Sequence, residues 1–354
     1  TGSTRGSALQ AMSATDLQNG LSVVVMGTGG FILPSFEAIL SSKHHIVAVV
    51  TRPPRAAGKR RSPVNPMRET AEKVGFAVLD PPDVNAVGVQ DQLRAFAADI
   101  MLVCDYGQIL SSDTLRATRL GGVNLHGSLL PRHRGAAPVQ WAILSGDTQT
   151  GVSVIHMTPK LDAGNILASR STMIGEKETS AELETRLAIL GVEAVLESLD
   201  DLQEAGGSLE NNIHATVGQA QDESKATKAP RIAKHDGFVH WEMTAIDIDR
   251  RRRAFVPWPR LTAFVPHMNG IRRLVCLETE VVEGQSIDAN MPPGMIAEIN
   301  ADSFIVACGG GSRLAIRQVI PEGRRVMSAA DFLRGSSVRV GSQLPVSVDN
   351  GDTP

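Results

Sequence analysis

In the stretch Leu21-Ser-Val-Val-Val-Met-Gly-Thr-Gly-Gly30, a short Val-rich run ends at a cluster of glycines. Apolar and β-branched, the run has the pattern of a buried strand. A helical pattern starts near Pro34, and a second apolar run, Ile46 to Val50, follows it. Strand, helix and strand in that order make a βαβ unit. The alternation continues through a helical Pro66 to Val74, Val78-Leu79, a helix-like Val87 to Ala97 and the buried-strand run Ile100 to Cys104. This predicts a Rossmann-like α/β domain whose mostly parallel sheet is covered by helices. Further strands are expected at Val123 to His126 and Val152 to His156. A long amphipathic helix is expected from Ser180 to Leu202, opened by the capping pattern of Thr179, Ser180 and Glu182.

The glycine-rich turn Gly27-Thr28-Gly29-Gly30 lies where phosphate loops and dinucleotide fingerprints occur. The third glycine of that fingerprint would fall at Ile32, and the second strand runs into Thr51-Arg52 rather than a ribose-binding acid. No Walker lysine follows, so the pattern argues against a nicotinamide-dependent reductase. The turn is either an anion-friendly helix N-terminus or a tight turn that needs small residues.

Residues 1–20, rich in Ser, Thr, Gly, Ala and Gln, read as a flexible extension. The first domain is expected over 21–208, a polar linker over 209–227, a second domain over 228–344 and a flexible tail over 345–354. The second domain opens with a helical segment, Ala245 to Ala254. Short β-like runs follow at Ala263 to Val265, Arg272 to Leu277, Gly294 to Ile299, Phe304 to Ala307 and Leu314 to Val319. Strands of this length and spacing predict a small, OB-like β-barrel.

The chain's 354 residues, 42% hydrophobic and 21% charged, suffice for two cores. No apolar run reaches the roughly 18 to 20 residues of a membrane-spanning helix, so no membrane insertion is expected. Three cysteines, Cys104, Cys276 and Cys308, without C-x-x-C spacing, fit a reduced compartment with neither disulfides nor a metal site. A cytoplasmic protein is expected, in a bacterial cytosol or, as the alternative, an organelle matrix. The net charge is −3, but residues 228–344 hold 16 basic and 12 acidic side chains, a local +4 that leaves −7 elsewhere. A polyanionic partner would suit that imbalance, and so would an ordinary solvated surface.

The chemistry concentrates in Val123-Asn-Leu-His-Gly-Ser-Leu-Leu-Pro-Arg-His-Arg-Gly-Ala-Ala-Pro138, followed by Thr150-Gly151 and Leu161-Asp162-Ala163-Gly164. Asn124 and His126, two apart on a strand, leave it on the same face. Asp162 lies on a later loop that can return to the carboxyl edge of the sheet, where open α/β folds place ligands. An acid, an imidazole and an amide donor would then share one pocket. His44, His45, His133 and His156 lack metal-ligand spacing and read as structural or surface residues. Trp141 and Met157 read as packing.

Taken together, Asn124-x-His126-x-Ser128-Leu-Leu-Pro131, Arg134-Gly135, Pro138, Thr150-Gly151 and Leu161-Asp162-x-Gly164 resemble the signature of the folate-dependent formyltransferases. The resemblance implies that Asn124, His126 and Asp162 are the catalytic trio and that Ser128, Leu129, Leu130 and Pro131 contact tetrahydrofolate. Tyr106-Gly107 is similar to the family's pterin-pocket edge, whereas Asp105 stands where several relatives carry Ala. It implies 10-formyltetrahydrofolate as co-substrate and no metal. Formyl transfer to an amine passes through a tetrahedral intermediate, whose oxyanion an Asn amide and a protonated His can stabilise while an Asp relays the proton.

The second domain separates this chain from the family's branch acting on glycinamide ribonucleotide. Asp236-Gly237, Trp241 and Arg253-Ala-Phe255-Val-Pro-Trp258-Pro259 resemble the joining region of the branch acting on tRNA, although the amino-sugar branch shares Pro-Trp-Pro. Thr51 to Val64 carries five basic residues, Arg52, Arg55, Lys59, Arg60 and Arg61, and is similar to the tRNA branch's basic loop, though shorter between Gly58 and Ser62. Phosphate contacts with an acceptor stem are implied. Arg250 to Arg253 would either touch phosphate or favour a helix C-terminus. The resemblance thus implies a monomeric enzyme that formylates the methionine carried by initiator tRNA. An amino-sugar nucleotide formyltransferase and a catalytically silent tRNA-binding scaffold are the alternatives.

Overall fold

A computed structural model of the chain describes residues 20–54, 65–206, 217–267, 270–283 and 291–345. The expected extension (1–20, of which residue 20 is described), most of the tail and residues 209–216 of the expected linker lie outside them, as do Arg55, Lys59, Arg60 and Arg61 of the basic loop. Two compact units are present. The first comprises residues 20–138, 149–173 and 184–230, and the second residues 139–148, 174–183 and 231–345.

The elements of the first half run β1 (Ser22–Gly27), α1 (Leu33–Leu40), β2 (His45–Val50), α2 (Pro66–Val74), β3 (Val78–Leu79), α3 (Val87–Ala95), β4 (Ile100–Cys104), α4 (Ser112–Leu115) and β5 (Gly122–His126). They continue with α5 (Pro138–Leu144), β6 (Gln149–His156), β7 (Ile166–Met173) and α6 (Ser180–Ala205). One sheet of order β3-β2-β1-β4-β5-β6-β7 results. β1 to β5 pair in parallel and β6 and β7 antiparallel, which fits the predicted Rossmann-like α/β domain. Local signals explain the helix ends. Asn65 accepts from the Arg68 amide ahead of Pro66, and Gly75, at φ 102°, closes α2. Thr179 and Glu182 exchange the expected capping box at the start of α6, with the Thr179 amide donating to Glu182 at 2.9 Å.

The order of strands reverses between β1 and β4, so their carboxyl ends flank the crevice where such folds take ligands. Gly27 pairs with Cys104 there. A Cβ on Gly27 would stand 2.8 Å from the Cys104 carbonyl, and one on Gly29 2.5 Å from an Asp105 carboxylate oxygen. Of the two readings of this turn, the need for small residues is the one the geometry supports, since the end of β4 presses against it.

β7 escaped the sequence reading. It is an edge strand whose second half, Ser169-Arg-Ser-Thr172, is polar on both faces, so it lacks the continuous apolar run that marks β1 and β4.

The second unit contains α7 (Ala245–Ala254), β8 (Thr262–His267), β9 (Gly270–Val281), β10 (Ile296–Ile299), β11 (Phe304–Ala307), β12 (Arg313–Pro321), β13 (Met327–Ser328) and α8 (Ala329–Arg334). Its antiparallel sheet has the order β10-β11-β12-β9-β8, with β13 on β12. Two register shifts in the β12–β9 pairing, around Gln318, bend these long strands. The sheet curls around a core that includes Trp241, Leu274, Phe304, Ile316 and Phe332. The expected barrel is thus a curled sheet, with β8 and β10 as its outer strands.

Of the two readings of Arg250 to Arg253, their placement supports the helix C-terminus, since Arg251, Arg252 and Arg253 fall in the last turn of α7 and all four side chains have intradomain partners. Arg250 pairs with Asp247, Arg251 donates to the Asp236 carbonyl, and Arg252 and Arg253 share Asp249.

Candidate active site

β5 carries Asn124, Leu125 and His126 to the carboxyl edge of the first unit's sheet. Leu125 turns toward α6, where a Cβ on Gly191 would come within 3.1 Å of both its methyl carbons. Strand alternation therefore sends Asn124 and His126 to the opposite face. His126 is buried and Asn124 half-buried.

His126 Nε2 lies 2.9 Å from the His133 carbonyl oxygen. A carbonyl only accepts, so Nε2 carries a hydrogen and the tautomer is set. Nδ1 then faces Asp162, 3.8 Å from Oδ2. The Gly135 amide donates to that same carboxylate oxygen at 2.9 Å. Asp162 itself sits in the left-handed region at φ 49°, which Asp tolerates better than most residues. Gly164 lets its loop return this close, since a Cβ there would lie 1.8 Å from the His156 carbonyl.

After His126 the chain forms a tight loop through a cis Leu130–Pro131 bond. Ser128 is fully buried and its hydroxyl donates to the Arg132 carbonyl at 2.7 Å. Ser153, on β6, fixes the loop from beneath: its hydroxyl donates to the Ser128 carbonyl at 2.8 Å and accepts from the Leu130 amide at 3.1 Å. Just past the end of the neighbouring β4, Tyr106 is 2% exposed, and burial pushes its phenol up to about 12. Gln108 accepts from the Val84 amide at 2.9 Å and donates to the Pro81 carbonyl at 3.2 Å. Arg52 donates to the Gly107 carbonyl at 3.2 Å, so this member of the predicted basic loop lies against the Tyr106-Gly107 edge.

Three residues escaped the sequence reading. Ser153 interrupts an apolar strand, and that interruption was the available signal. Gln221 and Thr227 lie in the polar stretch read as linker. The Gln221 amide donates to the carbonyls of Asp162 and Gly164 at 2.9 and 2.8 Å, and Thr227 Oγ1 accepts from the His133 amide at 2.8 Å. His44, expected to be a structural or surface residue, accepts from the Leu21 amide at 3.1 Å beside Asp200, and burial lowers its pKa. Among the described residues no group of three His, Cys, Asp or Glu side chains stands close enough to hold a metal, and no helix is long and apolar enough to cross a membrane.

An imidazole, a carboxylate and an amide side chain at the edge of this sheet can stabilise an oxygen that gains charge and move a proton beside it. The chain belongs to the formyl transferase family: the formyl transferase domain matches residues 21–199 and the formyl transferase C-terminal domain residues 231–337. Formyltetrahydrofolate is that family's donor. Among its relatives is the methionyl-tRNA formyltransferase of Rhodopirellula baltica, 42% identical over 94% of this chain and 99% of that protein. The methionyl-tRNA formyltransferase of Geobacter metallireducens is 35% identical over 92% and 99%. Solved structures with the same fold include an N-formyltransferase from Helicobacter canadensis in complex with folinic acid and dTDP-3-aminofucose. Its TM-score is 0.57 at 17% identity, over 84% of this chain and 99% of that one. HypX from Aquifex aeolicus in complex with tetrahydrofolic acid scores 0.55 at 14% identity, over 89% of this chain and 47% of that one.

Proposed function

We propose that this chain transfers the formyl group of 10-formyltetrahydrofolate to the amino group of methionyl-initiator tRNA, in the cytosol and as a monomer. The observation that carries the reading is the 42% identity to the Rhodopirellula baltica enzyme across nearly the full length of both chains. The amine attacks the formyl carbon, the bond from that carbon to N10 breaks, and a proton passes from the amine to N10. Asn124 and, as the imidazolium, His126 stabilise the oxyanion that forms between those events, and Asp162 faces the imidazole and accepts the amine's proton. His126 Nε2 is engaged by the His133 carbonyl, so Nδ1, on the Asp162 side, is the nitrogen that stays available.

Ser128 and Tyr106 are buried, and the Ser128 hydroxyl is committed within its own loop. Folate contacts at Ser128, Leu129, Leu130, Pro131, Tyr106 and Gly107 therefore fall to backbone groups and apolar surface, suited to a pterin ring that carries both donors and acceptors. Arg52, Arg55, Lys59, Arg60 and Arg61 contact phosphates of the acceptor stem, which position the tRNA without reading its sequence. Arg55→Ala lowers the slope of tRNA affinity against salt by about 0.7 to 0.9 per lost contact and spares folate binding. An unchanged slope removes the loop from this reading.

The deciding experiment offers methionyl-initiator tRNA and an amino-sugar nucleotide in parallel with 10-formyltetrahydrofolate at low salt and weighs the products. Formylmethionyl-tRNA alone supports the proposal. A formylated sugar alone overturns the acceptor, and no product from either overturns the activity.

A further inference from the structure

The polar segment 217–230 is bonded along its length to the two loops that build the site. The Gln219 backbone pairs with Ile166 in both directions at 2.8 Å. Glu223 bridges Arg134 and Lys160, at 3.1 and 2.9 Å. Ala229 exchanges backbone bonds with Arg134 and Ala137 at 2.7 and 3.2 Å. Gln221 lies at the centre. Its Oε1 accepts from Arg134 Nε and Nη2 at 3.0 and 2.6 Å, and its Nε2 donates to the carbonyls of Asp162 and Gly164.

All four capacities of the Gln221 side chain used here have the sign that an amide requires: an oxygen facing a guanidinium, and an NH2 facing two carbonyls. One side chain thus ties Arg134, on the loop whose His133 carbonyl anchors His126, to the turn that holds Asp162 in a left-handed conformation. From this geometry we infer that Gln221 is a positioning residue: it sets the place of Asp162 relative to His126 and thereby the rate of formyl transfer. The inference rests on the activity and trio proposed above.

Gln221→Glu keeps the length and the acceptor toward Arg134 but removes both donors toward the Asp162 turn. Gln221→Ala removes everything. Both variants are expected to lower kcat by about 10- to 100-fold, the loss that a displacement near 1 Å produces, with KM for folate and for tRNA unchanged. In the Asp162→Asn background neither causes a further loss, because the group it positions is already disabled. Residue-resolved amide exchange at Gly135, whose N–H bonds Asp162, accelerates in both variants while the unfolding midpoint stays put.

Wild-type kcat in Gln221→Glu overturns the inference, as does a loss that multiplies with that of Asp162→Asn. Gly135 exchange at the wild-type rate overturns it independently of any turnover assay. Failure of the proposed activity shows instead as a wild-type chain that forms no product.

Discussion

His126 Nδ1 stands 3.8 Å from Asp162 Oδ2, inside ion-pair range and beyond a direct hydrogen bond. The separation suits a proton relay in which the two groups act on one reacting amine rather than lock to each other. It is maintained from both sides, by the His133 carbonyl behind His126 and by the Gly135 amide on Asp162.

Removing either partner should disable chemistry more than binding. Asp162→Asn and His126→Ala are each expected to lower kcat by about two to four orders of magnitude, and Asn124→Ala by two to three. Steady-state kinetics with both substrates varied would check this. Near-wild-type turnover in any of the three would remove that residue from the trio.

Ser153 offers a test of how the loop proposed to contact folate is held. Ser153→Ala leaves the Ser128 carbonyl and the Leu130 amide without their buried partner, at a cost of about 1 to 3 kcal/mol. The expected result is a lower denaturation midpoint and a raised KM for folate, with tRNA affinity unchanged. Equal effects on both substrates would argue against the loop as the folate contact.

Strong acid should loosen the polar segment at Glu223. The Arg134 guanidinium, with Lys160 behind it, holds its carboxyl down at about 2, from an ordinary 4.5. The folded pKa is the lower one, so the contribution is complete above 4.5 and fades as pH falls toward 2. The group is exposed, so the effect is small. Urea unfolding of wild type and Glu223→Gln should differ at pH 6 and converge as pH falls through about 2. A gap as wide at pH 2 as at pH 6 would mean the bridge is not its source.

Arg52 distinguishes two roles for one cation. Its guanidinium donates to the Gly107 carbonyl, on the edge assigned to the pterin. Arg52→Ala is therefore expected to raise the KM for folate, whereas Arg55→Ala should act on tRNA alone. Competition binding with 5-formyltetrahydrofolate separates the two. Unchanged folate affinity in Arg52→Ala would leave Arg52 with the phosphate contacts alone.

The sheet was readable because its central strands, buried on both faces, are runs of apolar residues such as Val23 to Met26 and Ile100 to Cys104. α7 was readable to the residue because Thr244 caps it and its arginines end it. β7 and β13 were not, since the second half of β7 is polar on both faces and β13, Met327-Ser328, lacks the apolar pair that marks Val78-Leu79. Asn124, His126 and Asp162 could be singled out from spacing and from the motif that surrounds them. Gln221 and Thr227 could not, because a single Gln or Thr in a chain is most often a solvated group, and Ser153 left only its interruption of an apolar strand.

What the sequence determined by itself is local and repetitive: the alternation of strands and helices, the caps, the small residues at tight turns and the grouping of motif residues. Those follow from short-range sterics and from apolar periodicity, which are properties of neighbouring residues. Only the tertiary structure decided that a polar segment following the long helix would lie along the site and join the His133 loop to the Asp162 turn. That arrangement depends on hydrogen bonds between groups far apart in the chain, such as Gln221 with Asp162 and Thr227 with His133. Such bonds have no period to read, because their partners meet only after the sheet has assembled.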